Sequence, residues 1–256
     1  MRLEGGSAIV TGGAGGLGGA TVRRLAEAGM TVVIADLADE QGKALAAELG
    51  GAVRYVHTDV TDEASTRDAI AAAQEAGPLR VAVSAHGGPV AGSRVLDRAG
   101  EPYSLELFER TLKIYLTGTF NVLRLTASAM ARNEPNESGC RGVVVNTASI
   151  AAFEGQIGQT DYSAAKGGVV GLGLVAARDL APVGVRVMTI APGTFFTPAF
   201  RMEKEAAQEK WGTAVPFPKR MGEPAEYAQL VQSIAENDYL NGEVIRIDGA
   251  QRFGPR

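Results

Sequence analysis

The sequence predicts an α/β fold in which seven parallel strands form a doubly wound sheet with helices on both faces. Short β-branched runs alternate with segments of helical period along the whole chain, and a glycine-rich run stands between the first strand and the first helix. Nothing across the 256 residues reads as a linker, a repeat or a low-complexity tract. One domain spanning residues 1–256 is therefore expected.

The elements follow in order. Ser7 to Val10 opens the sheet, apolar at consecutive positions as suits a strand covered on both faces. A helix is expected over 17–28, a second strand over Thr31 to Ala35, a helix over 39–49 and a third strand over Val53 to Val56. Thr61-Asp62-Glu63 reads as the start of a helix over 62–76, ahead of a fourth strand at Val81 to Val83. A long helical pattern over 104–132 leads to a fifth strand, Val143 to Asn146, and a helix over 161–181 leads to a sixth, Val185 to Ile190. Gly222-Glu223-Pro224 starts a helix over 224–235, and Glu243 to Ile247 closes the sheet.

Two segments break this rhythm. Residues 86–103 are rich in Gly, Pro and Ser, and residues 192–221 hold Pro192, Pro198 and Pro216 with Phe195, Phe196, Phe200, Met202, Trp211 and Phe217. Long loops in compact domains tend to be lids or binding loops, so both are read as substrate loops. The apolar groups of the second would meet an apolar part of a substrate, or pack internally or against another subunit.

Composition narrows the function. There are 25 Lys and Arg against 29 Asp and Glu, a net charge of −4, and no basic run, so neither nucleic acid nor an anionic membrane is an expected partner. The one cysteine, Cys140, forms no intrachain disulfide and is read as structural. No targeting segment precedes the run at Ala8, and no stretch reaches the ~18 apolar residues of a membrane span, so a cytoplasmic location is expected. The only histidines, His57 and His86, stand in no metal-ligand spacing, and no metal is expected. The 33 glycines are nearly twice the usual ~7%, which suits tight turns and close backbone approaches at a nucleotide site.

Val10-Thr11-Gly12-Gly13-Ala14-Gly15-Gly16-Leu17-Gly18 carries that site. It reads as Gly-x-Gly-x-x-Gly or as Thr-Gly-x-x-x-Gly-x-Gly, placed where backbone N–H groups and the positive end of a helix stabilise a pyrophosphate. Asp36, 18 residues after Gly18 at the end of the second strand, is placed to accept from both ribose hydroxyls and to repel a 2′-phosphate. With Leu37 next to it and no Arg or Lys in the glycine run, NAD is expected rather than NADP. The plain alternative is an Asp that caps the following helix. Asp59 could accept from the adenine amino group with Val60 supplying backbone, or cap the helix after it. The fold is Rossmann-like on this reading.

The chemistry is read at the other end. Ser149 closes the fifth strand, and Tyr162 and Lys166, at i and i+4, share one helix face about 5–6 Å apart at Cβ. A phenol is a poor base near neutrality, and an adjacent ammonium is expected to favour phenolate.

Here the residues resemble the short-chain dehydrogenase/reductase family over essentially the whole chain. Asn146-Thr147-Ala148-Ser149, Ala152-Phe153-Glu154-Gly155-Gln156, Tyr162-Ser163-Ala164-Ala165-Lys166, Ala177-Arg178-Asp179-Leu180-Ala181-Pro182 and Asn241-Gly242-Glu243-Val244-Ile245-Arg246 look like one branch, the type II 3-hydroxyacyl-CoA dehydrogenases, also described as 17β-hydroxysteroid dehydrogenases. The resemblance implies NAD-linked oxidation of a secondary alcohol in a homotetramer. It implies that Ser149 polarises the substrate oxygen, that Tyr162 exchanges the hydroxyl proton, and that Lys166 tunes Tyr162 and holds the nicotinamide ribose. By matched position Gly12, Gly15, Leu17, Asp36, Asp59, Val60, Ala85, Gly87, Phe195 and Thr197 are NAD contacts, together with Tyr162 and Lys166, and Gln156 touches substrate. The substrate expected is a 3-hydroxyacyl-CoA or a hydroxysteroid-like alcohol.

Two departures stand out. Ser84-Ala85-His86-Gly87 replaces the family's Asn-x-Ala-Gly, and Tyr115, in Ile114-Tyr115-Leu116-Thr117-Gly118, replaces the Asn that normally helps hold a water on the lysine. Tyr115 or His86 serves as a relay group instead, or His86 is a loop residue beside the cofactor and Tyr115 packs. The departures also motivate two alternatives: an impaired NAD-binding scaffold subunit, and a member specialised for another ring alcohol.

Overall fold

The computed structural model describes residues 1–88, 92, 94–200 and 202–255. Positions 89–91 and 93 of the expected 86–103 loop and position 201 of the 192–221 segment lie outside the described residues. Seven strands form one parallel sheet: β1 (Ser7–Thr11), β2 (Thr31–Asp36), β3 (Val53–His57), β4 (Leu79–Ser84), β5 (Gly142–Thr147), β6 (Val185–Pro192) and β7 (Val244–Ile247). Their order is β3-β2-β1-β4-β5-β6-β7, the doubly wound Rossmann-like arrangement. The order reverses between β1 and β4, and a crevice opens there at the carboxyl ends of the strands.

Alternation within the strands sorts the core into two layers. Ala8, Val10, Val32, Ile34, Val81 and Val83 face the layer that holds Val22 and Leu25 of α1 (Gly16–Glu27) and Tyr227 and Val231 of α8 (Pro224–Glu236). Ile9, Val33 and Ala82 face the opposite layer, with Ile70 of α3 (Glu63–Ala76), Leu123 of α5 (Gly118–Met130) and Ala177 of α6 (Thr160–Leu180). Burial on both faces is the reason the strands read as continuous apolar runs. α2 (Asp39–Leu49) lies beside β2 and β3.

Two expectations need correction. The helix read over 104–132 is interrupted. α4 (Leu105–Leu112) passes into a π-helical turn at Lys113–Thr117 before α5 begins. The wider turn changes hydrogen-bond register without disturbing the apolar period, so the pattern concealed it. The segment 192–221 is not all loop: α7 (Lys204–Trp211) lies within it. Only Ala207 of α7 is buried, which leaves no apolar stripe to read.

Candidate active site

The nucleotide half of the crevice begins at the glycine turn. Gly12 has φ +68°, and a Cβ there would stand 2.5 Å from the carbonyl oxygen of Ala85. At Gly18 a Cβ would meet the Gly12 carbonyl at 2.0 Å. These two glycines let the turn close on itself and on the chain after β4. At Gly15 a Cβ would stand 3.3 Å from the Gly12 carbonyl oxygen, a tight contact within the turn itself. No side chain caps α1 and no acidic residue stands in its first turn, which leaves the helix's positive end for an anion.

A cavity of roughly 730 Å³ next to this turn is lined by Gly12, Gly15, Asp36, Asp59, Val60, Ala85 and Gly87. Asp36 Oδ2 accepts from Ala14 N and Oδ1 from Ala38 N, both at 3.0 Å. It ties the glycine turn to the residue ahead of α2, and each oxygen keeps a lone pair for a further donor. The side chain of Asp59 accepts from Thr61 N and Thr61 Oγ1, both at 2.8 Å, and the cap of α3 is Asp62, which accepts from Ser65 N at 2.8 Å. Asp59 therefore does not cap α3. Arg110 of α4 also lines this cavity. Glycine turn, uncapped helix and half-free carboxylate together fit a dinucleotide.

A second cavity, roughly 600 Å³, shares Gly12, Gly15, Ala85, His86, Gly87 and Tyr115 with the first and adds Leu17, Ser149, Gln156, Tyr162, Lys166, Phe195 and Thr197. Every site residue read from the sequence thus lines one cavity or the other. Lys166 is 4% exposed, and its Nζ donates to the carbonyl of Thr147 at the end of β5 at 2.7 Å. The Nζ lies 5.8 Å from the Tyr162 ring centre and 4.8 Å from that of Tyr115. The rings of Tyr115 and Tyr162 meet edge to face at 5.3 Å. Ser149 stands in extended backbone with Oγ accepting from Ala151 N at 3.1 Å.

Desolvation acts against the expected influence of the ammonium on the phenol. Burial pushes Tyr162 up to about 12, with Tyr115 acting in the same direction and the Ser149 hydroxyl against it. Burial also pushes Lys166 down to about 7. Burial thus works against both the ammonium and the phenolate in the free chain. His86, half-buried, is pushed down to about 3 by burial and by the charge of Lys166, and stays neutral.

The two departures prove to be packed. Tyr115 is 6% exposed; its hydroxyl accepts from Gly88 N at 2.9 Å and donates to Gly88 O at 2.6 Å. His86 Nδ1 pairs with Thr11 Oγ1 at 2.7 Å, and Nε2 lies 3.4 Å from Thr119 Oγ1. Among the described residues no hydrogen bond joins either side chain to Lys166. One residue before Tyr162, the buried carboxylate of Asp161 takes Tyr162 N at 2.8 Å, Thr111 Oγ1 at 2.7 Å and Tyr103 Oη at 3.0 Å. The sequence reading did not single it out.

The far wall is aromatic. Phe200 and Trp211 line the second cavity with ring centres 4.8 Å apart, whereas Phe195, which also lines it, is buried against Gly222, and Phe217 is 82% exposed. The apolar groups of 192–221 thus divide between cavity, core and surface. Phe253, beyond β7, also lines this cavity. Sequence reasoning missed it, since nothing in the segment after β7 has a period to read.

Among the described residues no helix is long and apolar enough to cross a membrane, and no group of three or more His, Cys, Asp or Glu side chains could hold a metal ion. The short chain dehydrogenase family model matches residues 7–209. The chain is 51% identical over 249 residues to the 3-hydroxyacyl-CoA dehydrogenase type-2 of Homo sapiens, covering 97% of this chain and 95% of that protein. It is 38% identical over 256 residues to the 3-alpha-(or 20-beta)-hydroxysteroid dehydrogenase of Mycobacterium tuberculosis, covering 99% and 92%. The crystal structure of the 3-hydroxyacyl-CoA dehydrogenase type-2 of Mycobacterium avium superposes with a TM-score of 0.96 at 55% identity, covering 98% of both chains.

Proposed function

This chain belongs to the short-chain dehydrogenase family and is an oxidoreductase, and from that premise we propose that it uses NAD to interconvert a secondary alcohol and its ketone. The favoured substrate is a 3-hydroxyacyl-CoA, with a hydroxysteroid-like alcohol second; relatives bearing both names support that order. The observation that carries the reading is that Ser149, Tyr162 and Lys166 share one cavity with the glycine turn.

In this reading the main chain of Gly12 and Gly15, with Leu17, holds the pyrophosphate. Asp36 accepts from the ribose, and Asp59 and Val60 flank the adenine. Ala85, Gly87, Phe195 and Thr197 flank the nicotinamide end, where Lys166 holds the ribose. Bound nicotinamide supplies the hydride acceptor. Ser149 Oγ donates to the substrate oxygen, Tyr162 Oη takes the alcohol proton, and Gln156 contacts the substrate. Lys166 stabilises the Tyr162 phenolate that serves as the base in oxidation and is regenerated in reduction. NAD is favoured over NADP because the Asp36 carboxylate would oppose a 2′-phosphate.

Residues 1–256 act in this reading as one domain, with substrate loops at 86–103 and 192–221. A homotetramer is part of it, supported by the exposed apolar side chains of Phe120 on α5 and of Leu174 and Val175 on α6. So is a cytoplasmic location, supported by the single buried cysteine. The test is NADH formation from a panel of 3-hydroxyacyl-CoAs and hydroxysteroids. Tyr162→Phe should remove nearly all turnover and keep NADH affinity, and retained turnover in that variant would overturn the assignment.

A further inference from the structure

We propose that the segment following β7 is a specificity element of this site, and that Phe253 is its determining residue. Its ring forms part of the apolar wall that receives the substrate's tail, so substrates with an extended apolar tail are preferred to short ones. The inference rests on the alcohol–ketone reading above and adds a substrate preference to it.

The chain leaves β7 and turns back through two consecutive residues in the left-handed region, Gly249 at φ +57° and Ala250 at φ +66°. Gln251 follows and is 3% exposed. Its Oε1 accepts from Thr194 N at 3.2 Å and from Thr194 Oγ1 at 2.9 Å, which pins the segment to the chain leaving β6. The guanidinium of Arg246 reaches the main-chain carbonyl of Gln251 at 3.1 Å while gripping Glu154 through two bonds of 2.6 and 2.8 Å. Beyond Phe253, the carbonyl of Pro255 accepts from Ile157 N at 3.0 Å. The segment is thus fastened on both sides of Phe253, once to each stretch of chain that borders the catalytic cavity.

Held this way, the half-buried Phe253 ring lines the cavity that also contains Ser149 and Tyr162, along with Phe200 and Trp211. Three aromatic side chains lining one cavity offer surface for hydrocarbon, since each methylene transferred from water onto such surface tightens binding by about fourfold. A ring fixed through hydrogen bonds on either side discriminates better than a mobile one, because little ordering entropy is lost on binding.

The test compares kcat/KM for ten-carbon and four-carbon 3-hydroxyacyl-CoAs in the full-length enzyme at saturating NAD. The wild type should prefer the longer chain. Phe253→Ala should reduce the ratio by roughly 10- to 100-fold, equivalent to two or three methylenes losing their contact. Phe253→Leu should restore most of it, and Gln251→Ala, which frees the segment but keeps the ring, should also reduce it. Melting temperature and NADH affinity report that each variant is folded. An unchanged ratio in folded Phe253→Ala overturns the proposal. Should the wild type turn over no alcohol at all, the alcohol–ketone reading fails first. Calorimetric binding of ten- and four-carbon 3-ketoacyl-CoAs to the NADH complex then reads the wall directly, and the absence of a length preference there also overturns the proposal.

Discussion

Replacing Lys166 by Met tests the electrostatic core of the mechanism. Methionine keeps much of the stem that packs beside Tyr115 and removes the charge. Placing the phenolate charge at the Tyr162 ring centre, 5.8 Å from Nζ, with an effective dielectric constant of about 20, the attraction between ammonium and phenolate is about 3 kcal/mol. At 1.36 kcal/mol per pKa unit, that is about 2 units on Tyr162. The sign follows from the charges. The cation favours phenolate, so its loss raises the Tyr162 pKa and moves the limb on which alcohol oxidation rises with pH to higher pH. The effect is reciprocal: a phenolate holds Lys166 protonated by the same amount, against the burial that brings it to about 7. The expected result is a limb displaced by about 2 pH units and a rate lower by about 100-fold near neutrality, partly recovered in alkali. The assay is kcat against pH at saturating NAD for wild type and variant. A limb in the same place for both, with only the KM for NAD altered, would refute the reasoning.

Two further outcomes are expected. Asp36→Ala should lower the NAD-to-NADP ratio of kcat/KM by about 10-fold or more, because the ribose loses an acceptor and a 2′-phosphate loses its repulsion while Arg110 still lines the cavity; an unchanged ratio removes the ribose role from Asp36. His86 should make the fold acid-sensitive. Its folded pKa, about 3, lies below the ordinary value near 6.5, so between those limits the unfolded chain binds a proton that the folded chain refuses. Stability should therefore fall as pH drops from about 6.5 towards 3. His86→Gln, which keeps a polar group for Thr11 and Thr119, should flatten that limb; equal slopes in denaturant titrations of the two proteins would count against the assignment.

The strands were legible because they are buried on both faces, and burial writes itself into sequence as consecutive β-branched residues. The observed strands differ from the reading mainly at their ends, as at β4, which starts at Leu79 rather than Val81, and β6, which runs on to Pro192. Ser149, Tyr162, Lys166 and Asp36 were legible because their spacing relative to the strands places them at one end of the sheet. What stayed hidden depends on contacts remote in sequence. Asp161 matters through Tyr103 and Thr111, some 50 residues earlier, and Phe253 reaches the cavity only because Gln251 finds Thr194 and Pro255 finds Ile157. The effect of burial on Tyr162 was hidden for a related reason. Spacing shows that a cation stands near the phenol, but not how far both are removed from water, and in the free chain the second effect is the larger.

The two departures from the family pattern bear on whether the site is competent, and their geometry argues that it is. Tyr115 cannot offer Lys166 the amide of an asparagine, yet its ring face lies 4.8 Å from Nζ, a distance at which an aromatic quadrupole attracts a cation. Its hydroxyl is fully engaged with Gly88, so the ring is held in place and no unpaired polar atom is carried into the site. His86 likewise has a partner for each ring nitrogen in Thr11 and Thr119, and its depressed pKa means that it adds no second positive charge beside Lys166. A histidine protonated there would repel the Lys166 ammonium. Both substitutions thus fill space, satisfy their own polar groups and leave Lys166 the one cation at the phenol among the described residues.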